Sequence, residues 1–224
     1  PDPKRGRPAA ETGGIPYTKP RFDMRFVFLL ALTGFLFVGM GGTAPATANA
    51  PADSTTFQFH EETEMTVYGS SNVRDWTMDV ESYQGEVVLE ADEQDTPSIH
   101  SISVEVPVEA LTASRGSMQD KAHKALKKED HPTIQFVSDS VTVATAAADS
   151  FAVRANGDLT IAGETQTVTV RAKGASNGDD GFHVRGDHEL ELSTFNVERP
   201  SAMLGALRVS DDIRLGFDVV LRPE

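Results

Sequence analysis

The sequence predicts an all-β protein: an eight-stranded antiparallel barrel with one short inserted helix. Three observations carry that expectation. Apolar residues recur at every second position through most of the chain beyond residue 60, and a period of two marks strands with one face on a core and one in water. Gly, Pro and polar turn clusters separate these runs at short spacing. A single segment, Ser117 to Glu129, breaks the pattern with helical spacing. Eight or more strands of this kind close into a barrel or pack as a sandwich.

The first 48 residues stand apart. Phe26 to Met40 is a 15-residue stretch without a charge, preceded by Lys19, Arg21 and Arg25 and followed by GGTAPATANA. That is the layout of a cleaved secretory signal peptide. The alternative is an uncleaved anchor, but a spanning helix needs about 20 apolar residues, and this run is broken by Thr33, Gly34 and Gly39. Cleavage is expected after Ala48, and Met24 reads as the natural start. The expected location is periplasmic or secreted, without stable membrane insertion of the mature chain. Residues 49–224 then form one domain.

The chain has no cysteine. An exported protein without cysteine has no disulfide framework and no attachment point for a lipoprotein anchor, so its core must stand alone. Removing residues 1–48 leaves 14 basic against 31 acidic residues, a formal charge of −17. Such a surface repels nucleic acid. A homodimer stays open.

In chain order, Met65 and Val67 alternate with Glu64, Thr66 and Tyr68, and Trp76, Met78 and Val80 with Thr77 and Asp79. Glu86 to Ala91 is a strand, followed by a polar turn to Pro97. Ile102, Val104, Val106 and Val108 form the next. Ile134 and Phe136 lead into one short strand, Val141 and Val143 into another. Gly157 to Val170, GDLTIAGETQTVTV, gives the cleanest signal, a hairpin turning at Gly163–Glu164 with Leu159 and Ile161 on one face. Leu190 and Leu192 alternate with Glu189 and Glu191. Ile213, Leu215, Phe217, Val219 and Leu221 make the last strand.

The helix is expected to be capped by Ser117, with Asp120 completing a capping box. Met118, Ala122, Ala125 and Leu126 form its apolar stripe. His131-Pro132 follows, because the residue before a proline leaves the helical region. A lone helix inserted among barrel strands covers an opening or a seam.

Alternation places Trp76, Phe136, Phe151, Leu159, Ile161, Leu190, Phe217 and Val219 on the inward face. Met65, Met78 and Met203 add adaptable side chains. Asp75 is expected to bond turn amides rather than to act in acid–base chemistry. The six histidines show no metal-ligand spacing, and His183 and His188, five apart, fall on opposite faces of a regular strand. No Gly-x-Ser-x-Gly elbow, phosphate loop or zinc motif is present, so no enzymatic activity, metal or cofactor is expected.

Four blocks carry a family resemblance. GSSNVRDWTMDV (Gly69–Val80), KAHKALKKEDHPTIQF (Lys121–Phe136), GDLTIAGETQTVTV and the closing STFNVERPSAMLGALRVSDDIRLGFDVVL (Ser193–Leu221) resemble, in order, blocks of the YceI-like domain family. That family is a lipocalin-like barrel that binds polyisoprenoid lipids. The early block carries an Asp-Trp signature where better-studied members have a histidine-containing segment. The resemblance implies an apolar ligand, an isoprenoid, quinone or fatty chain, held inside the barrel. The implied lining is Met65, Trp76, Met78, Phe136, Phe151, Leu159, Ile161, Leu190, Met203, Phe217 and Val219. The other reading is a structural or stress-related barrel without a ligand, acting through its surface.

Overall fold

The computed structural model describes residues 54–90, 97–147, 150–177, 181–202 and 206–224. Met203 and the proposed signal segment lie outside them. In these residues the alternation resolves into β1 (Thr55–Phe59), β2 (Glu64–Ser71), β3 (Asp75–Val80), β4 (Gln84–Glu90), β5 (Ser98–Pro107), β6 (Leu111–Thr112), β7 (Thr133–Ala147), β8 (Ser150–Ile161), β9 (Glu164–Ser176), β10 (Phe182–Glu191), β11 (Ser201–Ala202) and β12 (Leu207–Pro223), with one helix, α1 (Gly116–Ala125).

Eight of these strands close the expected antiparallel barrel. The ring runs β1-β4-β5-β7-β8-β9-β10-β12 and returns to β1. Closure removes the free sheet edges that would otherwise invite association. The long β12 serves two partners along one edge. Its end pairs with β1 (Phe59 opposite Leu221), and its middle pairs with β2 (Met65 opposite Phe217, Val67 opposite Leu215). The crossing between β1 and β2 is pinned by polar bonds. The hydroxyl of buried Thr63 accepts from the Val220 amide at 3.0 Å, and the Tyr83 hydroxyl lies 2.9 Å from the His60 carbonyl and 3.0 Å from that of Thr63.

Several elements differ from the sequence reading: the two-residue strands β6 and β11 are not read there, and Val108 and Leu192, expected in strands, begin short 3-10 turns at Val108–Ala110 and Leu192–Phe195. β1 is not read there, because TTFQF offers only Phe57 and Phe59 as a periodic signal. The two short strands expected around Phe136 and Val141 are one strand, β7. A bulge explains the misreading: Val137 pairs with Asp158 but Ser140 with Asn156, one extra residue on the β7 side. The extra residue switches the inward parity from Ile134 and Phe136 to Val141 and Val143. Ser138 sits buried in the bulge and donates to the Asn156 carbonyl at 2.7 Å. A Cβ at Gly157 opposite would collide with the Val137 carbonyl.

The helix is also shorter than expected. It begins at Gly116, its cap residue is Arg115, and no side chain bonds the cap. The Ser117–Asp120 capping box therefore does not form, since both residues lie inside the first turn and a half. The C-terminal end is closed by a Schellman motif. Lys128 N–H reaches the His123 carbonyl at 3.0 Å, Lys127 N–H reaches that of Lys124 at 3.0 Å, and Lys127 takes a left-handed φ of 55°. Its ammonium donates to the Ala162 carbonyl at 3.3 Å, tying the helix to the β8–β9 turn. That turn has two residues, Ala162 and Gly163, both at positive φ (51° and 87°), the geometry that matches strand twist in tight hairpins.

The barrel interior divides by height. At one end Phe57, Val87, Leu89, Phe151, Val153, Phe182, Val219 and Leu221 form a solid cluster. Phe182 packs against Phe57 at 5.5 Å between ring centres and against Phe151 at 5.7 Å, edge to face. Each such side chain contributes about 1.5–3 kcal/mol when fully buried. At the other end Ile161, Ala162, Leu192, Phe195 and Val197 cluster beside α1. Between them the barrel is hollow.

Candidate ligand-binding cavity

The hollow has a volume of about 390 Å³. The aromatic cluster lies beneath it, reached through Phe217, which packs on that cluster and lines the cavity, and its walls are inward residues of β2, β3, β5, β7, β8, β9, β10 and β12. The side of α1 carrying Met118, Ala122, Ala125 and Leu126 covers it. No residue of the helix itself is buried. The stripe read from sequence thus lines the cavity, the arrangement expected of a cover, and its end, Ala125 and Leu126, also packs against the Ile161–Phe195 cluster.

Of the residues expected to line this space, Met65, Trp76, Met78, Phe136, Leu159, Ile161, Leu190 and Phe217 all do. Phe151 and Val219 do not. They have the inward parity, but they lie in the packed cluster, 1 % and 6 % exposed. Parity gives the face of a strand and not the height along the barrel axis. The sequence list also omits lining residues on the same strands, among them Val67, Val104, Val106, Ile213 and Leu215. Their alternation was visible in the sequence.

Trp76 stands across the ladder from Gly69. Its indole ring occupies the space a Cβ at 69 would need, and its N–H donates to the Ser70 carbonyl at 3.0 Å. The ring is therefore oriented, with its polar atom satisfied and part of its surface on the cavity. Asp75 does not bond the neighbouring turn amides. The Ser71 hydroxyl does, accepting from Val73 at 3.3 Å and Arg74 at 3.2 Å, because Asp75 is already in the strand and points outward.

His183 and His188 take opposite faces, as their spacing requires. His183 bonds Asp218 on the outside, where Arg185 also donates to Asp218 at 2.7 Å. Desolvation raises the Asp218 carboxyl, but the bonds from His183 and Arg185 outweigh it and hold the group below its usual range. His188 lines the cavity. Burial, followed by the charge of Arg171, lowers its affinity for a proton against the opposing pull of Asp187 and Glu189. The other ionisable groups on the lining are Arg74, Arg115 and Lys121. Among the described residues, no group of three or more His, Asp and Glu is placed to hold a metal, and no helix is long and apolar enough to cross a membrane.

The profile of the YceI-like domain family matches residues 49–221, and the chain belongs to that family. Solved structures share the fold at low identity. BcnA of Burkholderia cenocepacia is 19% identical, with a TM-score of 0.55 over 70% of this chain and 95% of its own. A polyisoprenoid binding domain from Saccharophagus degradans, implicated in plant cell wall breakdown, is 8% identical, with a TM-score of 0.60 over 76% and 99%. The YCEI protein of Campylobacter jejuni is 17% identical, with a TM-score of 0.50 over 66% and 84%. No curated protein matches the chain.

Proposed function

We propose that this protein is a non-catalytic, exported carrier that holds a long isoprenoid, quinone or fatty chain inside its barrel. The single observation that supports this most is the unfilled apolar space between the aromatic floor and α1. A folded interior is normally packed as densely as an organic crystal. An empty apolar volume forfeits contacts that an apolar guest would restore. The polyisoprenoid binding described for the Saccharophagus degradans domain and membership of the same fold family favour a chain-like guest.

Export belongs to the same reading and rests on the charge-free Phe26–Met40 segment and the small residues after it. The test is organic extraction of protein purified from the cell envelope, followed by mass spectrometry, with N-terminal sequencing of the same sample. A co-purified isoprenoid or acyl chain and an N-terminus at Asn49 are expected. Protein that carries no lipid, and whose Trp76 fluorescence does not respond to added polyprenol or menaquinone, would mean a barrel that acts through its surface.

A further inference from the structure

We infer that the open end of the cavity selects an anionic head group, so that the preferred guest is a single-chain amphiphile with a carboxylate or phosphate. This rests on the apolar-chain reading above and names the class of chain. Three full charges line the cavity, Arg74, Arg115 and Lys121, and all are cations; among the described residues no Asp or Glu lines it. The chain as a whole carries 34 acidic and 20 basic residues. Three charges drawn at random from that pool would all be basic about one time in twenty, against the acidic bias of the rest of the surface.

The cations come from two elements, the β2–β3 turn and α1, which hydrogen bonds tie together at one rim. Arg74 lies in the β2–β3 turn, where the Asn72 side chain accepts from the Arg208 amide at 2.9 Å and donates to the Ala206 carbonyl at 2.8 Å. Arg208 pairs with Ser201 between β12 and β11, and the Lys121 ammonium donates to the Ser201 carbonyl at 2.9 Å. Arg115 stands at the start of α1. Among the described residues, neither the Arg74 nor the Arg115 guanidinium has a carboxylate partner. Both keep donors free for a bidentate acceptor. An amphiphile with its tail on the apolar wall and its head at this rim satisfies both. The acidic exterior repels an anionic head elsewhere and concentrates its attraction here.

The experiment holds the chain constant and varies the head. Binding of laurate, dodecyl phosphate, 1-dodecanol and dodecylamine to the lipid-free protein is measured by calorimetry and by Trp76 fluorescence, in low and high salt. At low salt each solvated ion pair multiplies affinity by about two to five, so laurate or dodecyl phosphate should bind about tenfold tighter than dodecanol. The amine should bind weakest, and the spread should shrink in high salt. The relative strength of the two anions tells a carboxylate preference from a phosphate one. In the variant carrying Arg74→Gln, Arg115→Gln and Lys121→Gln, dodecanol binding should persist while the ranking by charge disappears. Equal binding of acid, phosphate and alcohol, or a ranking that survives the triple substitution, would overturn the head-group assignment while leaving the carrier reading standing. Failure of all four probes to bind would overturn both.

Discussion

Trp76 and Gly69 face each other across the β2–β3 ladder, and the indole ring fills the place of the side chain that Gly69 lacks. The same relation recurs where Phe151 faces Gly174 and where Phe217 faces Gly186. An aromatic ring laid over a cross-strand glycine covers bare backbone and fixes the ring's orientation. At Trp76 the result is a flat wall on the cavity, held by the bond to Ser70.

Gly69→Ala should therefore act on the ligand wall as well as on stability. The new methyl group overlaps the ring, and overpacking of this kind costs about 1–3 kcal/mol. The indole should rotate off the ladder, with a shifted Trp emission maximum and a lower melting temperature. Unchanged emission would show that the strands yield instead of the ring.

Lys127→Gly should stabilise the protein. Lys127 holds a left-handed conformation at the end of α1, which costs a non-glycine residue about 1–2 kcal/mol. Against that gain stands the loss of one partly solvated bond to Ala162, worth about 0.5–1.5 kcal/mol. The expected outcome in urea unfolding is a net gain of about 0.5 kcal/mol. A net loss would assign the Lys127–Ala162 tie the larger share.

Two substitutions on β12 should separate floor from cavity. Val219→Trp enters the packed cluster beside Phe182 and Leu221 and should destabilise by about 1–3 kcal/mol. Ile213→Trp, on the same face three pleats away, projects into the cavity and should leave stability nearly unchanged while reducing binding of an apolar chain. Thermal unfolding and lipid content, measured on both variants, check this. Similar destabilisation by both would mean that the cavity closes up in solution.

Stability should fall in two pH windows. His188 has a folded proton affinity below its unfolded one, so the unfolded chain takes up the proton first. The contribution is complete above the unfolded value of about 6.5 and is lost as pH falls through the folded value. Asp218 follows the same sign at strongly acid pH: its contribution is present above the unfolded carboxyl value and disappears as pH falls through the lower folded one. His188→Leu should flatten the decline between neutral and mildly acid pH, and Asp218→Asn the decline in the acid limb. Urea midpoints across the pH range, compared with the parent, test both.

Strand parity was legible in the sequence and set the fold class and most of the wall, while helical spacing gave the cavity-facing stripe of α1. Leu159 and Ile161, Phe217 and Leu190 needed only a period of two, which follows from the pleat itself. That period says which face a side chain takes and nothing of how far along the axis it sits. Phe151 shares its strand and parity with Leu159, yet tertiary contact with Phe182 and Phe57 places it in the floor and leaves Leu159 on the cavity. The bulge at Val137–Ser140 reverses parity through a pairing with β8 that β7 alone does not encode. The cationic rim is the extreme case. Arg74 lies in the β2–β3 turn and Arg115 and Lys121 on α1, two local stretches with ordinary surface patterning, and only closure of the barrel under α1, with its bonds from Arg208 to Asn72 and from Lys121 to Ser201, sets them around one opening. Local periodicity is a property of the strand, whereas the place of an empty volume depends on which side chains from distant strands meet and which do not.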